Sequence, residues 1–89
     1  MQFAVLLTWF VDLGSPENTQ LFHAHECHMV KLYQQGVLRA GGPFLDGAGS
    51  LLLLEAPDEQ TATGWLEADP AHGVLYRAQV HPWQNVFKS

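Results

Sequence analysis

The chain has 89 residues, 47% of them hydrophobic, with four Lys and Arg against nine Asp and Glu and a net charge of −5. That length is one domain, that apolar content excludes a disordered chain, and that charge excludes a binder of phosphate backbones, because Lys31, Arg39, Arg77 and Lys88 are few and scattered. The single cysteine, Cys27, excludes a disulfide within the chain, and no apolar run approaches the ~20 residues of a membrane span.

Met1 to Leu7 is apolar but carries no basic residue, and Asp12 follows closely, so residues 3–11 are expected to form a strand and not a signal peptide. With one free thiol and no targeting signal, a reducing cytoplasm is the expected location. Gly14-Ser15-Pro16 is turn chemistry that opens a helix over residues 16–35, and Gly36 stops it. A short strand is predicted at 37–40, broken by Gly41-Gly42-Pro43, with a flexible loop through Asp46, Gly47 and Gly49 suited to wrapping a ligand. Residues 50–55 give a third strand, apolar on both faces. Asp58 is placed as the N-cap of a second helix with Ala62, Trp65 and Leu66 inside, ended at Asp69-Pro70. Residues 74–82 alternate as an edge strand with one wet face.

The order strand, helix, strand, strand, helix, strand predicts a ferredoxin-like βαββαβ sandwich of the α+β class, a four-stranded antiparallel sheet with two helices on one face. Strands one and three are apolar on their other face too. A domain this small buries only roughly 60–65% of its unfolded surface. A second copy covering the open sheet face, as a two-fold homodimer, is therefore expected.

Within the first helix, His25 falls at the centre of the apolar stripe. At ~100° per residue, Leu21, Phe22, Met29, Leu32 and Tyr33 all lie within about 80° of it. An imidazole on such a stripe is either a core histidine satisfied by one hydrogen bond or a group tuned by a neighbouring carboxylate. The candidate carboxylates are Asp46, after the Gly42-Pro43 corner, and Asp69, before Pro70. Either is also ordinary turn chemistry. A His–Asp pair would orient the ring for acid–base work.

Metal binding is not expected, because of the cluster of His23, His25, Cys27 and His28 only His25 and His28 share a face, and the spacing is not that of a zinc protease. Cys27 falls opposite His25, with no base aimed at it, so a catalytic thiol is not expected. Tyr33, Trp65, Tyr76 and Trp83 are candidates either for a pocket lining or for core. His72, in the loop after Asp69-Pro70, is most simply a solvated histidine. No phosphate-binding glycine loop precedes a helix, so no cofactor is required.

His25, Gly36, Gly42-Pro43, Asp46 with its following glycines, Ala68-Asp69-Pro70 and Val80-His81-Pro82-Trp83 stand in an order and spacing that resembles the YCII-related, or YciI-like, family. The resemblance implies a ferredoxin-like fold of the dimeric α+β barrel superfamily and a pocket between helices and sheet. It also implies a histidine, here His25, paired with an aspartate, here Asp46 or Asp69. Superfamily relatives include muconolactone isomerases and a dehydrochlorinase of a chlorinated hydroxyquinol. This chain departs from similar proteins after Asp69-Pro70, where Ala71-His72-Gly73 is short and small. That departure either removes a pocket wall or enlarges the pocket, with His72 taking part. The function expected is proton shuttling by His25 and an aspartate on a small cyclic or enolic metabolite, in isomerisation or elimination. The pocket would include Tyr33, Gly42, Pro43, Trp65 and His72. The alternative is a non-catalytic module binding a small ligand or a partner.

Overall fold

The computed structural model describes residues 1–87, so Lys88 lies outside them. Six elements follow in chain order: β1 (Gln2–Trp9), α1 (Pro16–Gln34), β2 (Leu38–Pro43), β3 (Gly49–Glu55), α2 (Glu59–Glu67) and β4 (Tyr76–Trp83). The sheet order is β2-β3-β1-β4, with every neighbouring pair antiparallel. This is the ferredoxin-like α+β fold.

Alternation along the central strands builds the core. Phe3, Val5 and Leu7 of β1 lie beside Leu54, Leu52 and Ser50 of β3. The five apolar members of that row are buried, and Leu32 of α1 with Ala62 and Leu66 of α2 join them in one cluster. Both helices therefore cover the same face. The opposite face carries Ala4 beside Leu53 and Leu6 beside Leu51, none of them buried.

Local signals end the helices as expected. Gly36 adopts φ 78°, its N–H donates to the Tyr33 carbonyl, and the Val37 N–H reaches back to Leu32 at 3.0 Å. That is the paired closure a left-handed glycine allows. Asp58 caps α2 by accepting from the Thr61 N–H at 2.7 Å, which holds its carboxyl below 3.8. Ser15 precedes α1 but makes no side-chain cap; its hydroxyl donates to Glu17 instead.

One element differs from expectation. Gly41-Gly42-Pro43 does not break β2; the strand runs through all three residues. Because β2 is at the sheet edge, the missing N–H of Pro43 interrupts no central ladder. A bulge between Leu38 and Ala40 resets the register before the glycines. The loop shrinks to residues 44–48, where Phe44 bonds to Gly49 and Gly47 turns at φ 79°. No helix of the described residues is long and apolar enough to cross a membrane.

Candidate functional site

His25 projects from the inner face of α1 and is 6% exposed. Its Nδ1 lies 2.5 Å from Asp69 Oδ2, across 44 residues of sequence. Asp69 follows the end of α2, where the chain leaves the helix at Ala68. Its side chain is fully buried and takes two further bonds: the Tyr76 hydroxyl donates to Oδ2 at 2.7 Å, and the Ala71 N–H donates to Oδ1 at 3.0 Å. Burial pushes this carboxyl up. The bond from His25, then those from Ala71 and Tyr76, outweigh burial and hold it below 3.8. Burial, reinforced by the bond to Asp69 and its charge, pushes the Tyr76 hydroxyl well above 10.0.

The protonation pattern follows. Ionised Asp69 accepts and cannot donate, and Tyr76 keeps its proton, so the Nδ1 of His25 carries a hydrogen. Nε2 is then the nitrogen free to accept one when the ring is neutral. Trp9 stands edge-on to the imidazole at 5.5 Å and Tyr76 lies 5.2 Å away, so an aromatic collar fixes the ring plane.

His25 lines a cavity of about 470 Å3 between α1 and the β2–β3 end of the sheet. Trp9, Phe22, Met29, Gly42, Pro43 and Phe44 are among its walls. Among the described residues His25 Nε2 has no hydrogen-bond partner, yet no buried side-chain nitrogen or oxygen is left unpaired. Nε2 is therefore the edge of the ring that opens on the cavity. The volume lies within the ~300–1,000 Å3 range of small-molecule sites.

The structure sorts the two candidate aspartates. Asp69 meets His25; Asp46 is exposed in the β2–β3 loop and accepts from the Ala48 N–H at 2.9 Å, an ordinary turn bond. Gly42 and Pro43 line the cavity. Tyr33 does not; it is 65% exposed and borders an adjoining hollow with Arg39. Trp65 is half-buried on α2, where its carbonyl bonds to His28 Nε2 at 2.7 Å and ties the helices together. His72 packs edge-on against Tyr76, behind the aspartate and away from the cavity. The short Ala71-His72-Gly73 turn thus shapes the seat of Asp69, through the Ala71 N–H, and not a pocket wall.

Of the aromatics singled out from sequence, Tyr76 serves the aspartate and Trp83 lies 39% exposed at the end of β4. Trp9, Phe22 and Phe44 supply the aromatic wall instead. The signal for Phe22 was its place on the His25 stripe; Trp9 was hidden in a nearly unbroken apolar run. His23 Nε2 lies 3.7 Å from Cys27 Sγ, one helical turn away, so the thiol does have an imidazole neighbour. Their i,i+4 spacing is the signal that identifies it. Both residues are exposed, and no group of three or more metal-ligating side chains occurs among the described residues.

A four-stranded α+β sandwich with a buried histidine–aspartate pair beside a mostly apolar cavity defines the class of domain. The chain belongs to the YCII-related family, whose domain profile matches residues 1–84. Its fold is similar to that of 5-chloro-2-hydroxyhydroquinone dehydrochlorinase (TftG) from Burkholderia phenoliruptrix AC1100, solved in complex with 2,5-dihydroxybenzoquinone. The TM-score is 0.73 at 24% identity, over 94% of each chain. At that identity the likeness is one of fold. Among curated protein sequences, none matches the chain.

Proposed function

We propose that this protein is a small acid–base enzyme in which His25, oriented by Asp69, moves a proton on a small cyclic or enolic compound bound in the cavity. One observation carries the proposal: Nδ1 is engaged by a buried, ionised carboxylate while Nε2 opens on the cavity. In that arrangement Nε2 takes a proton from carbon beside a carbonyl, and the imidazolium, stabilised by Asp69, returns it at a second position or to a leaving group. Isomerisation and elimination share that first step. The fold relative is named as a dehydrochlorinase and is bound to a hydroxylated quinone, which makes rings of that kind the first compounds to offer.

Deuterium exchange tests the step without a known product. In D2O, the ring C–H positions of 2,5-dihydroxybenzoquinone exchange through the keto tautomer. The protein is expected to accelerate that exchange, and His25→Ala to lower the accelerated rate by about 10²- to 10⁴-fold. Equal acceleration by wild type and His25→Ala would overturn the role given to His25.

We further propose that the protein works as a homodimer, sheet against sheet, in the reducing cytoplasm. Ala4, Leu6, Leu51 and Leu53 form a contiguous apolar patch at the centre of the open face. The wild type is expected to sediment at twice 9.9 kDa. Leu53→Arg is expected to sediment at half the wild-type mass with its helix content retained. A wild type that stays monomeric at micromolar concentration contradicts the dimer.

A further inference from the structure

We infer that Ser50 is the second polar anchor of the pocket, its hydroxyl holding an oxygen of the bound ring while His25 faces the carbon beside it. The inference rests on the proposed acid–base function and adds to it a recognition point on the sheet.

The sequence pattern first sets Ser50 apart. Leu54, Leu52 and Ser50 alternate along β3 on the helix-covered face, opposite Phe3, Val5 and Leu7 of β1. Leu54 and Leu52 are 0% and 4% exposed. The third place in this apolar row is a serine, 9% exposed and lining the cavity. Its hydroxyl makes no hydrogen bond within the described residues, yet no buried side-chain oxygen among them is left without a partner. The oxygen therefore has access to the cavity.

A hydroxyl at this place in an apolar row adds nothing to packing, which alanine or a larger apolar residue would serve as well. Its position is also rigid. Beside it, a Cβ on Gly49 would fall 1.7 Å from the Leu7 carbonyl oxygen, so β1 and β3 run unusually close there. Ser50 thus stands on an unyielding strand, while His25 stands on the helix above. A planar ring with oxygen functions on neighbouring or opposite carbons meets both: one oxygen on the Ser50 hydroxyl, the adjacent C–H toward His25 Nε2. Apolar rings without oxygen satisfy the walls but leave Ser50 unpaired, so the serine selects for oxygenated rings.

The test measures the affinity of 2,5-dihydroxybenzoquinone by calorimetry, its deuterium exchange, and the melting temperature, for wild type, Ser50→Ala and His25→Gln. Ser50→Ala is expected to bind the quinone roughly fivefold to tenfold more weakly. Its melting temperature should be nearly unchanged, because the hydroxyl removed is open to the cavity and bonds to no other described residue. Wild-type affinity in Ser50→Ala overturns the anchor and leaves the role of His25 standing. Weakened binding in Ser50→Ala, with exchange unaffected in His25→Gln, upholds the anchor and removes the proton-transfer role. A wild type that does not bind the quinone overturns both the oxygenated-ring reading and the anchor.

Discussion

Asp69→Ala is expected to lower stability by about 3 kcal/mol or more, among the largest losses a single side chain can produce here. The carboxylate is fully buried and answers three donors at once: His25 Nδ1, the Tyr76 hydroxyl and the Ala71 N–H. Truncation strands all three, and each stranded buried donor costs about 1–3 kcal/mol before relaxation or water entry. Against a typical total of roughly 5–15 kcal/mol, that is a large fraction of the stability. Urea melts measure it directly, and a loss below ~1 kcal/mol would mean that the buried pair is not what holds this corner together.

Asp69→Asn adds the pH dependence. The folded protein holds Asp69 below its ordinary 3.8, so the unfolded chain binds that proton more tightly. The stability contributed by ionisation is therefore present in full above 3.8 and disappears as pH falls through the folded value. The stability gap between wild type and Asp69→Asn is expected to hold at neutral pH and to close below 3.8. A gap that stays constant down to acid unfolding contradicts an ionised Asp69.

Gly49→Ala is the second large effect. The new Cβ would lie 1.7 Å from the Leu7 carbonyl oxygen and 2.9 Å from its carbon, both backbone atoms that no side-chain motion can clear. Relief requires separating β1 from β3 at the pairing of Thr8 with Gly49, beside the cavity wall. The expected loss is about 3 kcal/mol, with the β1–β3 amide hydrogens at that end losing protection against exchange. By contrast Gly42→Ala, where a Cβ meets nothing within 4 Å, is expected to change stability little. Equal behaviour of the two variants contradicts the close approach of these strands.

Much of this architecture was legible because local chemistry and hydrophobic period agreed. The Gly36 stop, the Asp58 cap and the alternation of β1 and β3 needed only nearest neighbours. The place of His25 followed from helical geometry. What was not legible depended on contacts between distant segments. The partner of His25 lies 44 residues away, and both Asp46 and Asp69 carry the same turn signature in sequence. Asp69 is the one that faces inward, where His25, Tyr76 and Ala71 complete its bonds. Strand β2 continues through Gly-Gly-Pro because it is an edge strand, a fact of sheet order and not of propensity. Ser50 was masked by the leucines that follow it, since a single hydroxyl hardly alters an apolar strand pattern.

Asp69 fixes the proton of His25 on Nδ1 and leaves Nε2 bare toward the cavity. Side-chain 15N NMR of the five histidines, at a pH well above the ~6.5 of an ordinary imidazole, measures that directly. The expected spectrum shows His25 with a protonated Nδ1 and a bare Nε2, and loses that preference in Asp69→Asn. A wild-type His25 carrying its hydrogen on Nε2, with Nδ1 bare, would contradict both the dyad and the chemistry built on it.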